Sequence, residues 1–477
     1  MNITDSLRAL ARERPDAVAF VRPRGGKVTL REFDRQVDHL ARRALAVGIK
    51  PGEVVLVAVE RPLRLLQLEL ALARIGAAAA PPTIDRAFID QRLIQGEAPP
   101  EARPGRHFVD AWFDATPLHD APVPTHQDPD AASIVFSSSG TTGTPKAIPV
   151  THAQLAARIA VADAGAPLPQ VPRTICVPRM SSGAGFVTVL RVLFAGGTIV
   201  SAATPEEVVA AVERLHVNSL RIMPVWIERL VAALPARARP LAALEKIEVG
   251  GAALSPALCR LARERLCEHV FIHYAATETG YLAGGPVDQL DLERGDVGRL
   301  APGVDVEAQD AGGGVVPRGS DGLLRVRAPG CATRYLGLPE ASAETFVDGW
   351  VVLPDVGRVA TDGNVILGGR ASDMINVGGY KVNPGTIEDA LLSLDVIEDA
   401  AAFGVAGANG TTQLCAAIVL RGPVDRATLD ARVRERLGNL HPSLVMQMKT
   451  IPRNENGKIL RHELVSMAQA AGVPGAR

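Results

Sequence analysis

Short apolar runs alternate with segments of helical periodicity along the first 273 residues of the chain. The runs at 54–59, 174–177 and 219–223 are mostly apolar and β-branched, which is typical of strands buried in a parallel sheet. The segments 31–46 and 205–215 carry apolar residues at the spacing of one helix face, which predicts helices. Alternation of this kind indicates the α/β class, with layered, largely parallel sheets covered by helices.

The residue composition changes after residue 295, where glycine, proline and aspartate become frequent. Short alternating runs such as 304–308 and 322–326 predict a small β-subdomain. From Met374 onward, strand and helix segments follow one another over about a hundred residues, which is the size of a small α+β domain. We therefore predict a large N-terminal domain over residues 1–370 and a small C-terminal domain over residues 371–477.

Composition excludes several classes of function. Of 477 residues, 51 are basic and 52 acidic, and only 4% are aromatic, which argues against a partner such as nucleic acid or a charged membrane surface. Apolar runs stay well short of the ~20 residues of a membrane helix, and residues 1–17 do not have the pattern of a secretion signal. The five cysteines lack a C-x-x-C spacing, so we expect reduced thiols in a cytoplasmic protein without membrane insertion.

The stretch 137–146, SSSGTTGTPK, follows a short apolar strand at 133–136 and precedes a helix that starts near residue 151. This arrangement predicts a strand–loop–helix connection whose N–H groups, hydroxyls and lysine suit the oxygens of a polyphosphate. A flexible Ser/Gly linker is the alternative interpretation. The loop is not the P-loop of kinases and GTPases, because Lys146 is preceded by proline and followed by alanine.

Five further strings follow this loop. They are GGA at 250–252, YAATETG at 274–280, GWVVLPDVGRV around Asp355, LGGRASDMINVGGYKVNP around Arg370, and IPRNENGKILR around Lys458. Each alone has an ordinary interpretation as a turn or a solvated charged residue. If the βα units share one sheet, the loops at 137–146, 250–252 and 274–280 would open on its carboxyl edge, where ligands bind.

Together and in this order, the strings resemble the motifs of the adenylate-forming superfamily. Its members include acyl-CoA synthetases, the adenylation domains of non-ribosomal peptide synthetases, and luciferases; the resemblance is closest to acyl- or aryl-CoA synthetases. It implies a nucleotide site formed by Ser138, Ser139, Gly140, Thr141, Thr142, Gly143, Lys146, Gly250, Gly251, Ala252, Tyr274, Asp355 and Arg370.

The resemblance also implies individual roles for the reacting groups. Tyr274 would pack on adenine, Thr277 would bond the α-phosphate, and Glu278 would hold Mg2+, for which a carboxylate oxygen is a suitable ligand. Asp355 and Arg370 would contact the ribose. Lys458 would bridge the substrate carboxylate and the α-phosphate, so Lys458, Thr277 and Glu278 are the predicted catalytic residues.

The implied reaction has two steps. ATP activates a carboxylic acid as an acyl-adenylate with release of pyrophosphate, and the small mobile C-terminal domain then swivels at Ser372 to bring in a pantetheine thiol along Gly378 and Gly379. The implied cofactors are ATP, Mg2+ and CoA. An acyl-AMP ligase that loads the phosphopantetheine of a separate carrier protein is the alternative; a luciferase-type oxygenase and a non-catalytic relative are remoter ones.

The predicted acyl pocket consists of Ser181, Ser182, Gly183 and Ala275. Gly183 aligns with the aspartate by which amino-acid-activating domains hold an ammonium group, which disfavours α-amino acids. Ala275 stands where the family pattern has glycine, and Leu353-Pro354 replaces Thr-Gly before Asp355. The resemblance therefore implies a small carboxylic acid whose identity stays open.

Overall fold

The computed structural model describes residues 1–22, 26–84, 93–95, 106–108, 112–113, 122–138, 145–178, 180–234, 241–371, 373–377, 380–406, 412–453 and 459–470. The chain forms two compact units. The first contains Met1–Glu307, Arg325–Leu353 and Ala360–Val365, and the second contains Ala308–Leu324, Pro354–Val359 and Ile366–Arg477. This organisation confirms the predicted α/β class with a large N-terminal and a smaller C-terminal part.

The helices of the first unit are α1 Ile3–Glu13, α2 Leu30–Ala46, α3 Pro62–Arg74, α4 His152–Gly165, α5 Gly183–Phe194, α6 Pro205–Leu215, α7 Val225–Ala233, α8 Pro256–Arg265 and α9 Pro339–Thr345. Several begin at a side chain that caps the free N–H groups. Thr29 and Thr151, for example, each form a capping box with the residue three positions on, Glu32 and Gln154, which fixes where α2 and α4 start.

Its strands are β1 Val18–Val21, β2 Lys27–Thr29, β3 Val54–Ala58, β4 Ala78–Ala80, β5 Leu93–Gln95, β6 Arg106–Phe108, β7 Ala132–Ser137, β8 Ala147–Thr151, β9 Arg173–Cys176, β10 Thr198–Val200, β11 Ser219–Ile222, β12 Lys246–Gly250, β13 Val270–Ala276, β14 Gly280–Pro286 and β15 Asp296–Leu300. The β-rich segment that follows contributes β16 Asp305–Gln309, β17 Gly322–Arg327, β18 Phe346–Val347, β19 Trp350–Val359 and β20 Asn364–Arg370.

Two sheets organise the first unit. In one, the strand order is β2-β1-β10-β9-β11-β12-β13-β14-β15, with parallel pairing from β1 through β13. In the other, the order is β6-β5-β3-β4-β7-β8, parallel except for the last pair. A common apolar core contains Phe20, Val57, Phe136 and Leu190, so burial of apolar side chains holds the two sheets and their helices together.

The second unit is built on a three-stranded sheet. Its elements are β21 Ile375–Val377, β22 Tyr380–Val382, α10 Pro384–Leu392, β23 Ile397–Ala406, β24 Thr412–Leu420, α11 Arg426–Leu437, β25 Leu444–Gln447 and α12 Arg461–Ala470. The sheet order is β23-β24-β25. One face packs on α10 and α11 through Ile387 and Val433, and Phe403 on the other face packs with Leu464 of α12.

The structure differs from the sequence prediction around the serine- and threonine-rich loop. The loop closes an antiparallel hairpin, because β8 pairs with β7 before α4 begins; the predicted strand–loop–helix connection was therefore wrong. Pro149 within β8 argues against a central strand, but β8 lies at the edge of its sheet, where proline is tolerated. The same pairing places this loop and the turns at 250–252 and 274–280 on different sheets, not on one edge.

The segment after Pro82 is rich in proline and charged residues, a composition that predicts an irregular connection; it nevertheless contains the short parallel strands β5 and β6. Gly183, of the predicted acyl pocket, is the first residue of α5, because the Ser182 hydroxyl accepts a hydrogen bond from the Gly185 N–H at 3.1 Å and caps the helix.

Candidate active site

The ends of the serine- and threonine-rich loop are joined by two hydrogen bonds. The Ser138 N–H donates to the Lys146 carbonyl, and the Lys146 N–H donates to the Ser138 hydroxyl oxygen, both at 2.9 Å. Ser139, Gly140, Thr141, Thr142 and Gly143 lie outside the described residues. The pair fixes the base of the loop, so that the position of the Lys146 side chain follows from the hairpin.

Lys146 and Glu278 both contact one tyrosine, Tyr335. The Lys146 ammonium lies 4.5 Å from the centre of the Tyr335 ring, and the Tyr335 hydroxyl donates to Glu278 Oε1 at 3.0 Å. Burial, followed by the charge of Glu278, raises the pKa of Tyr335, so the hydroxyl keeps its proton as a donor at neutral pH. A cation and a carboxylate are thus held close together without direct neutralisation.

Arg158 holds the main chain of the turn that carries Thr277 and Glu278. Its Nη1 donates to the Thr277 carbonyl at 3.0 Å and its Nη2 to the Glu278 carbonyl at 2.9 Å. Its Nε donates to the Gly330 carbonyl at 2.7 Å. Arg158 is 1% exposed, and burial lowers its pKa to about 10. The guanidinium therefore stays charged at neutral pH and fixes the position of the turn.

Arg158 and Tyr335 are residues that the sequence interpretation missed. Arg158 follows Leu155 by three positions and precedes Ala162 by four, so it lies on the buried face of α4. An arginine on an apolar helix face is a detectable signal, because a buried charge needs partners. Tyr335 gives no comparable signal, since its contact with Glu278 spans 57 positions.

The YAATETG string forms the turn between β13 and β14. Tyr274 and Ala275, both partly buried, are in β13, opposite Ala283 and Tyr281 of β14. Thr277 lies near the start of α5: a methyl group added to Gly183 would stand 3.7 Å from its Cγ2. Gly183 is therefore placed beside the turn that carries the predicted phosphate and metal ligands.

The Gly250-Gly251-Ala252 turn leaves no room for a side chain at its first position. A Cβ on Gly250 would come 2.4 Å from the His273 carbonyl oxygen and 2.8 Å from Arg221 Nη2. Gly251 has a φ of +87°, a conformation that glycine adopts readily. Ala252 is exposed. The turn at the end of β12 is thus built for close approach of the backbone.

All four predicted acyl-pocket residues are partly exposed: Ser181, Ser182, Gly183 and Ala275. Gly183 lies close to both Phe136 of β7 and Thr277. A Cβ atom added to Gly183 would stand 3.6 Å from the Phe136 ring. The start of α5 is therefore the place where elements of the two sheets approach the YAATETG turn. Ser182 uses its hydroxyl as a helix cap.

In the second unit, Asp355 and Arg370 form an ion pair with Nε and Oδ1 3.6 Å apart. Both side chains are partly buried, 16% and 31% exposed. The Ala371 N–H donates to the Pro354 carbonyl at 2.7 Å, which holds the end of β20 against the middle of β19. The geometry brings the two predicted ribose contacts next to one another.

Lys458, Ser372, Gly378 and Gly379 lie outside the described residues, but the base of the Lys458 loop is described. Arg453 and Ile459 form an antiparallel bridge on either side of it. Arg461, the first residue of α12, is 2.6 Å from Glu388 through Nη2 and donates to the Ala402 carbonyl at 3.0 Å. These contacts join the two ends of the loop to each other and tie its C-terminal end to β23 and α10.

Glu278 is the residue that could hold a metal ion. Within the described ranges, His, Cys, Asp and Glu side chains form no group of three or more suited to a metal. A single carboxylate fits Mg2+ that is bound mainly through substrate phosphates and water. The Tyr335 hydroxyl occupies a lone pair of Glu278 Oε1, and orients the carboxylate.

None of the described helices has both the length and the apolar character that a membrane span requires. The five cysteines, Cys176, Cys259, Cys267, Cys331 and Cys415, are free thiols, as the spacing predicted.

Comparison with known proteins extends the sequence resemblance to the whole chain. A model of the AMP-binding enzyme family matches residues 7–87 and 84–336, and one of the AMP-binding enzyme C-terminal domain matches residues 386–458. The chain is 30% identical to 4-coumarate--CoA ligase-like 6 of Oryza sativa subsp. japonica, over 89% of this chain and 79% of that protein. It is 27% identical to fatty acid--[acyl-carrier-protein] ligase ScoC of Streptomyces coeruleorubidus, over 92% and 91%.

The structure of the amide bond synthetase McbA from Marinactinospora thermotolerans superimposes with a TM-score of 0.85 at 26% identity, covering 98% of this chain and 99% of that one. Surfactin synthase subunit 2 of Bacillus subtilis is 26% identical over 97% of this chain, which spans 14% of that protein's length.

Proposed function

Because the chain belongs to the AMP-binding enzyme family and is an AMP-forming ligase, we propose that it activates a small carboxylic acid with ATP and passes the acyl group to the thiol of CoA. The observation that carries this proposal is the arrangement of Lys146, Tyr335 and Glu278, in which a cation lies over a buried ring and a carboxylate accepts a hydrogen bond from the hydroxyl of that ring. Pyrophosphate release needs both a cationic group and a metal ligand near the phosphates.

Each residue of the site has a place in this reaction. Lys146 would bind phosphate oxygens of ATP at the base of its loop, and Glu278 would hold Mg2+, which when bound neutralises charge on those oxygens. Asp355 would accept hydrogen bonds from the ribose hydroxyls. Lys458 would lie against the carboxylate and α-phosphate oxygens as they join, and stabilise the charge there.

Three kinds of enzyme in this reaction class differ in the molecule that accepts the acyl group. CoA is our first choice, and the similarity to an acyl-carrier-protein ligase supports a carrier protein as the alternative. The similarity to an amide bond synthetase supports an amine as a further candidate. All three share the first step, so adenylate formation is tested first.

The test is pyrophosphate release by the full chain with ATP, Mg2+ and a panel of aliphatic, aromatic and dicarboxylic acids. We expect release that depends on the acid, with the adenylate trapped as a hydroxamate by hydroxylamine. CoA, a phosphopantetheinylated carrier protein and a panel of amines are then added separately to the active acid. Folded protein that leaves ATP intact with every acid would disprove the proposal; a thioester or amide product identifies the acceptor.

A further inference from the structure

One face of the parallel sheet in the first unit carries polar side chains across neighbouring strands. On the opposite face, Leu220, Ile222, Ile247 and Val249 are all buried in an apolar core. The alternate positions are Cys176 of β9, Arg221 of β11, Glu248 of β12 and His273 of β13. The register places Arg221 directly between Cys176 and Glu248. A polar layer therefore lies under the carboxyl ends of these strands.

Most charges in this layer are matched. The Lys246 ammonium is 2.8 Å from Glu248 Oε1, and Nε of Arg191, from α5, is 2.6 Å from Asp163 Oδ1. Burial, followed by the nearby charge of Arg221, lowers the pKa of His273 to about 3, so this side chain is neutral at pH 7.

Arg221 is the exception. It is 3% exposed, and its Nε and Nη1 are buried with no hydrogen-bond partner in the described part of the chain. Lys246 and Arg191 each have a carboxylate at contact distance. The guanidinium of Arg221 has none among the described residues, and it interacts with the charge of Glu248 only at longer range. A buried cation without a bonded counter-ion is costly to a fold, which makes such a residue a candidate for binding an anion.

The position of Arg221 connects it to the Gly250 turn and, through the neighbouring strand β9, to the start of α5. Its Nη2 lies 2.8 Å from the place that a Cβ on Gly250 would occupy. Its carbonyl accepts a hydrogen bond from the Val177 N–H at 2.9 Å, and the neighbouring Cys176 Sγ is 4.0 Å from the Gly185 carbonyl in α5. The guanidinium therefore lies behind the Gly250 turn, and the main chain of Arg221 lies beside the segment that leads to Gly183.

We propose that Arg221 binds a second carboxylate of the substrate, so that the acid activated by this enzyme is a dicarboxylic acid with one carboxylate at the α-phosphate and the other at Arg221. This inference rests on the proposed function. A guanidinium suits a carboxylate because its planar donors match two oxygens. It is a specificity-determining residue, since the second carboxylate takes no part in bond formation.

The experiment compares each diacid with its own half-amide. Succinic, glutaric, adipic and terephthalic acids and their monoamides are offered to the full chain with ATP and Mg2+, and kcat/KM is measured by pyrophosphate release. We expect the wild type to prefer at least one diacid by roughly 100-fold or more, because a site built for a polar group rejects the analogue that lacks it. Arg221→Met should reduce that ratio to within about 3-fold while the rate with the monoamide is kept.

Two further variants complete the design. Arg221→Lys keeps a positive charge in the layer. It should retain part of the preference for the diacid over its monoamide, as a lower KM for the diacid. Arg294→Met, at an exposed site of the same unit, should behave as the wild type. If Arg221→Met does not fold, the wild-type ratio and Arg221→Lys decide the question.

The inference is wrong if the wild type activates acids but prefers no diacid over its monoamide. It is also wrong if Arg221→Met folds and lowers kcat/KM equally for the diacid and the monoamide. Those results would leave the proposed function intact. Failure with every acid, diacids and monoamides alike, would overturn the proposed function and this inference together.

Discussion

The hydroxyl of Tyr335 donates a hydrogen bond to Glu278 Oε1 at 3.0 Å, and the ring of the same tyrosine lies 4.5 Å from the ammonium of Lys146. Tyr335 thus contacts the predicted metal ligand and the predicted phosphate ligand at once. One tyrosine thus has a cation over its ring and a carboxylate at its hydroxyl. Binding of nucleotide phosphates with a metal ion would use both charges.

Substitution Glu278→Gln tests the metal ligand. The carboxamide can still accept the Tyr335 hydrogen bond, so the fold should be kept, but it offers a neutral oxygen to Mg2+. We expect pyrophosphate release to fall by about 100-fold or more and the Mg2+ concentration at half-maximal rate to rise. Tyr335→Phe is the control: it removes one hydrogen bond and should cost about 1 kcal/mol, or roughly 5-fold in rate. An unchanged Mg2+ dependence in Glu278→Gln would contradict the assignment.

Substitution Arg158→Met tests the positioning of the turn. It removes three part-buried hydrogen bonds, to the carbonyls of Thr277, Glu278 and Gly330. We expect a loss of about 3 kcal/mol or more in stability, seen as a lower melting temperature, together with slower adenylate formation. Arg31→Met is the matched control, because its ion pair with Asp16 is exposed on both sides and contributes at most about 1 kcal/mol. Equal melting temperatures for the two variants would refute this role of Arg158.

Much of the fold could be predicted because its signals are local. The parallel strands at β3, β9 and β11 are short apolar runs, and the helices between them show the 3.6-residue period. The pairing of strands is not local: β7 joins β4 in the second sheet, although 51 residues separate them in sequence, and no local pattern records that choice. β8 escaped prediction for the same reason, since an edge strand tolerates a proline that a central strand would not.

The site follows the same division. Glu278, Lys146 and the Gly250 turn could be proposed because their strings have distinctive composition. Tyr335 could not, as it reaches Glu278 only through the tertiary fold. The polar layer around Arg221 was visible in principle: SLRI and KIEVG alternate charged and apolar positions, which is unusual for strands buried on both faces.

Glu69 gives a pH dependence of stability. This carboxyl in α3 is 3% exposed, and burial raises its pKa from 4.5 to about 8. The folded chain then holds a proton that the unfolded chain loses above pH 4.5, so this group's contribution to stability falls by about 1.4 kcal/mol per pH unit between pH 4.5 and 8. Glu69→Gln mimics the neutral acid and should remove that slope.

The measurement is the melting temperature of Glu69→Gln and of the wild type at pH 5.5, 6.5 and 7.5. The melting temperature of the variant should rise relative to that of the wild type as the pH increases. Glu53→Gln, in the same unit, serves as a control for the loss of one carboxylate. A difference that stays constant over this range would show that Glu69 does not carry a proton in the folded state.

Asp355→Ala tests the ribose contact. A carboxylate that accepts hydrogen bonds from the ribose should discriminate ATP from 2′-deoxy- and 3′-deoxy-ATP, and its removal should abolish the discrimination while raising the KM for ATP by about 10-fold or more. Asp321→Asn breaks a different ion pair in the second unit, with Arg358, and should leave the nucleotide preference unchanged. If Asp355→Ala discriminates the deoxynucleotides as the wild type does, the ribose hydroxyls are bound elsewhere.

Lys458→Ala tests the terminal lysine, whose loop is held at its base by the bridge between Arg453 and Ile459 and by Arg461. If the ammonium stabilises charge as carboxylate and α-phosphate join, its removal should slow acid-dependent pyrophosphate release by about 100-fold or more, mainly in kcat. Transfer of the acyl group from chemically prepared acyl-adenylate should be affected far less, since that step begins after the bond has formed. Lys449→Ala, at an exposed position before the same loop, should change neither step. A Lys458→Ala variant that loses both steps equally, at an unchanged melting temperature, would exclude a role confined to adenylate formation.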